Sequence, residues 1–336
     1  MPSLLQGFNM KKILLISALS FALSNSAFAN TEQAIAAYNA GDIAQATALL
    51  SHGDKNDYKT NLYLTKIALV NGELDDAEQH IKDAVKASPE RGELHFEYAK
   101  VMAAQAEASS IFSKMGYAKK VLKGFTKAAK YSPENIKYRR SLMSFHLMAP
   151  GLAGGDKEEA LNQALAIQSL DPLSGVTALM QVYTQTENTE KMAEIEQVAL
   201  STYSNEPEVH YQRGMIFLQQ EDFQAAREHL SKATSLVANT ERQLNAKHMA
   251  MYQLGRSSVL SKSHFDEGVA ALTYYIDEVE VSGSMPDKSW AKFRLANLAE
   301  FQGNKTKAKT IYNEILQETS DSKLKKKAKK KVRKLS

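Results

Sequence analysis

Glu208 to Ala233 reads EVHYQRGMIFLQQEDFQAAREHLSKA, and its spacing decides the fold. Two helix-forming segments flank a tight turn, so the stretch predicts a helical hairpin. Gly214, Ala226 and Ala233 sit where two crossing helices must touch, and Phe217, Phe223 and Leu230 fill the space around them. One such hairpin cannot bury its own apolar face, so copies have to stack.

Copies run from about Thr31 to Thr319. The first, Thr31 to about Leu50, is worn: Gly41-Asp42 makes its turn and Ala46 its close contact. The second is clear, with Leu64, Ala68, Gly72, Ala77, Ile81, Ala84 and Pro89 in place. The third has Tyr98, Ala99 and Met102, but Phe125, Ala128 and Pro133 arrive about ten residues late, which predicts a hairpin lengthened over Ala103–Gly116. Leu142, Met143, Ala160 and Pro172 mark the fourth, with the loop Ala149-Pro150-Gly151-Leu152-Ala153-Gly154-Gly155 between its helices. A weaker fifth spans Gly175 to Pro207, and the opening stretch is the sixth. Leu254, Gly255, Gly268 and Leu272 mark the seventh; Leu295, Ala296, Gly303, Ala308, Tyr312 and Ile315 mark the eighth. Between those two lies a loop, Glu278 to Asp287, with Gly283 and Pro286 as breakers.

This spacing resembles the tetratricopeptide repeat, a family of helix-turn-helix units of about 34 residues. The composition already points to an all-α chain, because Ala, Leu, Lys, Glu and Gln dominate the periodic stretches. The resemblance implies a right-handed α-solenoid of antiparallel helix pairs, about seven to eight repeats, some degenerate or extended. The expected organisation is an N-terminal array at 30–174, a C-terminal array at 175–320 and a basic tail at 321–336.

The N-terminus carries a secretory pattern. Lys11 and Lys12 precede the apolar run Ile13 to Leu23, and Ala27-Phe28-Ala29 supplies a small-residue cleavage site. That run, as a helix, spans only about 16 Å against a hydrocarbon core of about 30 Å, so removal is expected rather than anchorage. Residues 1–29 read as a signal peptide, with Met10 as the expected true start and Asn30 as the mature N-terminus. The chain has no cysteine, which excludes disulfides, thiol nucleophiles and a lipid-modified cysteine. A bacterial protein, periplasmic or secreted, is expected.

In the resembled family, ligands lie in the groove lined by the first helix of each pair. Carried over residue by residue, the groove positions are Leu62, Phe96, Arg140, Tyr211, Tyr252 and Phe293 at one level, and Lys66, Lys100, Ser144, Met215, Arg256 and Asn297 one turn on. Lys59 and Trp290 fall near the groove's entrance. Rings interleaved with cations suit a protein or peptide segment with acidic groups. Packing against the neighbouring helix is the other reading of the same aromatics.

Chemistry finds little purchase in this sequence. The Gly-rich loop lacks a Gly-Lys-Ser/Thr ending and a preceding strand, and Asp156 would repel a phosphate while serving well as a helix cap. No two of the eight histidines form His-Glu-x-x-His, so no metal is expected, and His95 and His210 read as packing residues. No Gly-x-Ser-x-Gly elbow exists. Neither an enzyme nor a cofactor is expected; the best residues for one would be His146 and Asp156.

The C-terminus segregates charge. Lys323, Lys325, Lys326, Lys327, Lys329, Lys330, Lys331, Arg333 and Lys334 follow one another with no acid between them. With these nine and Lys11 and Lys12 set aside, 31 bases face 38 acids, so the body is acidic at −7. Leu324, Ala328, Val332 and Leu335 recur near helical spacing beneath the charge. The tail reads either as a capping helix or as a contact for an anionic surface. Nucleic acid is disfavoured by export and by the lack of interleaved aromatics.

The function expected is therefore an exported, non-catalytic scaffold that binds a protein or peptide through its groove. By resemblance, envelope assembly or regulation is implied. The alternative is a peripheral protein held to anionic lipid or lipopolysaccharide by its tail.

Overall fold

The computed structural model describes residues 30–282 and 285–335. The signal-peptide reading and the breaker Gly283 lie outside the described residues. The chain divides between Leu170 and Asp171 into two compact units. All regular structure among the described residues is helical.

In the first unit, helix α1 covers 30–39. Then come α2 (Ile43–Ser51), α3 (Tyr58–Asn71), α4 (Leu74–Ala87), α5 (Gly92–Ala108), α6 (Ile111–Tyr131), α7 (Ile136–Met148), a 3-10 turn at Gly151–Ala153, and α8 (Lys157–Leu170). In the second unit, α9 (Pro172–Gln185) and α10 (Thr189–Thr202) are followed by α11 (Pro207–Gln219) and α12 (Phe223–Ser235). After these come α13 (Glu241–Ser261), α14 (Phe265–Glu278), α15 (Lys288–Phe301), α16 (Lys305–Glu318) and α17 (Ser322–Leu335). From α3 to α16 each odd helix packs on the even one that follows, and each unit stacks its pairs in chain order. The result is an all-α arrangement of tetratricopeptide-like hairpins.

The hairpin turns repeat one device. A residue with positive φ (Gly41, Glu187, Glu221, Gly303) stands directly before an Asp or Asn N-cap (Asp42, Asn188, Asp222, Asn304). The cap side chain accepts from the backbone three residues on, as Asp222 does from Ala225 at 3.0 Å, and so satisfies a donor the helix leaves over. Reversal takes the three residues between the two helices.

Close approach is the second recurring feature. Gly214 lies so near α12 that a Cβ there would stand 2.6 Å from Leu230 Cγ, and one on Gly255 would run into Leu272 Cγ. Ala226, Ala233, Leu230 and Leu272 are fully buried. Small residues on one helix thus admit large ones from its partner.

His95 and His210 hold equivalent places. Each is buried and donates Nε2–H to a carbonyl six residues back, His95 to Pro89 at 2.7 Å and His210 to Ser204 at 2.8 Å. Each pins the start of its helix to the loop before it, which is the packing role expected. His210 Nε2 must carry a proton, since a carbonyl only accepts, so its Nδ1 presents a lone pair when the ring is neutral. His229 Nδ1–H fills that position from α12 at 3.1 Å, with its ring stacked on Phe217.

The C-terminal helix is a cap. Leu324 and Ala328 are fully buried against Ala296, Ile311, Tyr312 and Ile315. Trp290 donates to Asp321 at 3.0 Å and Lys331 pairs with Glu300 at 3.0 Å. The apolar stripe beneath the charge is spent on the last hairpin.

Candidate functional site

The first helices of the second unit's pairs (α9, α11, α13, α15) pack against one another and present a common face. A cavity of about 440 Å³ opens there, lined by Gln181, Gln185, Tyr211, Gln212, Met215 and Arg256 among others. Tyr211, Met215 and Arg256 were expected here, and the structure brings all three to one cavity. Burial pushes the Tyr211 phenol up to about 12, so it stays a neutral hydroxyl. The glutamine amides add donors and acceptors; Gln185 and Gln219 bond each other at 2.7 Å across α9 and α11.

Arg256 gives the site its sign. Its guanidinium donates to Gln253 at 3.2 Å, and its pKa is lowered, first by burial and then by the charge of Arg294. Arg294 in turn donates to the Tyr252 hydroxyl at 2.9 Å and lies over that ring. Among the described residues neither arginine has a carboxylate within 4 Å. Two half-buried cations pressing on each other carry a cost that an arriving anion would remove.

The other expected contact residues are placed differently. Phe96 is 6% exposed and stacks on Tyr138 at 4.7 Å, so it fills the first unit's interior instead of offering a surface. Tyr252 and Asn297 are likewise buried, the first bonded to Arg294 and the second donating to Phe293 carbonyl. Phe293 and Trp290 pack on each other and on Tyr312 and Asp321. The packing reading, left open by the sequence for the aromatics, fits these four rings, and Asn297 is turned inward with them. Helical register alone does not separate a residue facing a groove from one facing the next helix, which is why both kinds were selected.

In the first unit the expected cations are already matched. Lys59 meets Glu32 at 2.6 Å, Lys66 meets Glu93 at 3.7 Å and Lys100 meets Glu97 at 2.8 Å. Arg140 is half-buried on α7. Arg294 was missed: the carried-over register selects Phe293 and Asn297, and Arg294 falls one residue past Phe293.

His146 and Asp156 do structural work. His146 Nδ1 donates to Gly154 carbonyl at 3.0 Å, and Asp156 caps α8 by accepting from Glu158 and Glu159 amides. Among the described residues no group of three His, Asp or Glu side chains is placed to hold a metal. No helix among them is long and apolar enough to cross a membrane.

A second cleft of about 390 Å³ lies between α10 and α11, lined by Tyr183, Met192, Ile216 and Phe217 and crossed by the Arg213–Glu196 pair at 2.6 Å.

Hairpins built on small contact residues and stacked through their first helices define a helical-repeat scaffold. Residues 207–239, which form α11–α12, and 290–322, which form α15–α16, match models of the tetratricopeptide repeat. These two hairpins are therefore similar to the tetratricopeptide repeat. Proteins of this fold are generally non-catalytic scaffolds that bind protein or peptide partners. Among solved structures, the APC/C hetero-tetramer Cut9–Hcn1 is similar at 15% identity over 87% of this chain and 52% of that one, with a TM-score of 0.45. A tetratricopeptide repeat protein from Parabacteroides merdae is similar at 13% identity over 83% of this chain and 98% of that one, TM-score 0.41. A thermophilic one from Thermus thermophilus is similar at 14% identity over 61% of this chain and 98% of that one, TM-score 0.40. The chain spans about half the length of the first of these. No curated protein matches the sequence.

Proposed function

We propose that this protein is a non-catalytic scaffold that holds an extended, acidic peptide segment of a partner against the first-helix face of its second unit. The observation that carries the reading is Arg256 at the cavity's edge, crowded by Arg294 and matched by no carboxylate. A ligand carboxylate would gain a charge-assisted bond there, while Met215 and Tyr211 offer area and the glutamines bind backbone. Peptides selected from a random display library on the purified chain test this. Enrichment of Asp and Glu is expected, with binding at least tenfold weaker to Arg256→Glu. Undiminished binding to that variant would remove the site.

Export belongs to the same proposal. It rests on Lys11-Lys12, the run Ile13 to Leu23 and Ala27-Phe28-Ala29, and it places the partner in a bacterial envelope, in its assembly or regulation. Sequencing the N-terminus of the chain from a periplasmic fraction should return Asn30 first; a retained Met1 or Met10 would refute export.

A second reading concerns α17. Its buried Leu324 and Ala328 leave Lys323, Lys325, Lys326, Lys327, Lys329, Lys330, Arg333 and Lys334 exposed. Any hold on anionic lipid or lipopolysaccharide would then be electrostatic, without insertion, and would fade with salt. Reversing Lys326, Lys330 and Arg333 to Glu tests it without uncovering α16; unchanged membrane fractionation would refute it.

A further inference from the structure

The lengthened third hairpin carries a feature that the groove does not explain. α5 runs nine residues past the buried Ala99 to Ala108, where α11 runs five past Gly214 to Gln219. α6 starts seventeen residues before the buried Ala128, where α12 starts ten before Ala233. The tip therefore projects beyond the ordinary hairpin length by roughly 6 Å on α5 and 10 Å on α6. At that tip Ile111 is 78% exposed, Phe112 91% and Met115 37%. Large apolar residues gathered on a projection have no folding reason to be there.

The charge on α6 has one sign. The helix holds six lysines, Lys114, Lys119, Lys120, Lys123, Lys127 and Lys130, and no acid and no arginine. Its buried face is Val121, Gly124, Ala128 and Ala129. At 100° per residue, Phe112, Lys119, Lys123 and Lys130 fall on the opposite side in one line, apolar at the tip and cationic below. Lys120 reaches Glu78 at 3.7 Å, but among the described residues Lys114, Lys119 and Lys123 have no carboxylate within 4 Å.

We propose that this ridge is a contact for an anionic lipid bilayer, with Ile111, Phe112 and Met115 entering the headgroup boundary and Lys119 and Lys123 lying against the phosphates. A convex apolar tip suits a yielding medium, whereas a folded partner would need a matching pocket. Lysine suits a diffuse charged surface, since it is a flexible point charge that snorkels, and arginine, the residue of bidentate phosphate recognition, is absent from the helix. Apolar and electrostatic attraction together make such binding sensitive to lipid composition. The proposal is independent of the peptide site in the second unit.

The full chain is co-sedimented with vesicles of phosphatidylcholine containing about a third phosphatidylglycerol, and with vesicles of phosphatidylcholine alone. Binding to the charged vesicles and at least tenfold less to the neutral ones is expected, since each base near an anionic surface is worth roughly fivefold. Ile111→Ser with Phe112→Ser, and separately Lys119→Glu with Lys123→Glu, should each weaken it at least tenfold with melting unchanged. Because the chain lacks cysteine, Ser113→Cys gives a single labelling site. A solvent-sensitive dye there should shift to the blue on charged vesicles. Undiminished binding by the serine variant, or a dye that stays in water, overturns the proposal. So does binding of polyglutamate in preference to vesicles, or loss of all binding on reversing Lys326, Lys330 and Arg333 alone.

Discussion

Gly255→Ala isolates the contact on which the hairpins depend. Alanine is favoured over glycine in a helix interior by about 1 kcal/mol, and α13 is helical from Glu241 to Ser261, so propensity alone predicts a gain. The new Cβ would collide with Leu272 Cγ, the branch point of a side chain with no exposure and no room to turn. Overpacking of this kind costs about 1–3 kcal/mol, so the net expectation is a loss of about 0–2 kcal/mol. Leu272→Ala alone should cost about 2–5 kcal/mol, by lost burial and the cavity left behind. In the double variant the alanine Cβ enters that cavity, so the pair should be less destabilising than the sum by about 1–2 kcal/mol. Thermal melting followed by circular dichroism reads these changes at roughly 2–4 °C per kcal/mol for a unit of this size. Gly116→Ala in α6 is the control: a Cβ there meets nothing within 4 Å and its φ is unstrained, so it should raise stability by about 0.5–1 kcal/mol. A Gly255→Ala protein that melts higher than its parent, or strictly additive variants, would refute the close approach.

The histidine pair should make stability depend on pH. His229 is held down to about 4, first by burial and then by Arg213 and the neighbouring His210, which is itself lowered by burial. A group depressed in the folded state stabilises above its unfolded pKa of about 6.5 and loses that stability as pH falls towards 4, here about 1–2 kcal/mol once solvent screening of a half-exposed ring is allowed for. Urea midpoints between pH 7 and 4 should fall accordingly and fall much less in His229→Leu; parallel curves would exclude the pair. Leu324→Ala should cost about 2–5 kcal/mol and speed amide exchange across α17, because that side chain anchors the cap; unchanged exchange would mean that α17 is not held. Asp222→Ala should cost about 1 kcal/mol through the lost α12 cap, and a neutral result would discount the turn device.

Small residues at repeated spacing made the hairpins legible, because Gly214, Ala226 and Ala233 answer to a constraint local to one pair. The lengthened third hairpin was legible for the same reason: Ala128 arrives late, and nothing but added helix fills the interval. Turn chemistry was half visible. Gly41 and Gly303 announce positive φ, while Glu187 and Glu221 adopt it without the residue that signals it. The site was harder to read, because facing a groove and facing the next helix share one periodicity. Phe96 and Tyr252 satisfy the groove register and are buried; Arg294 misses it by one residue and crowds Arg256. The tail's stripe was visible, but only Leu324 and Ala328 seated under α16 decide that it faces inward.

The central question is whether a partner segment occupies the cavity beside Arg256. A photoreactive residue replacing Gln212, which lines that cavity, should crosslink a selected acidic peptide, and the same residue at the exposed Gln224 of α12 should not. Crosslinking that is equal at the two positions, or that survives Arg256→Glu, would contradict it.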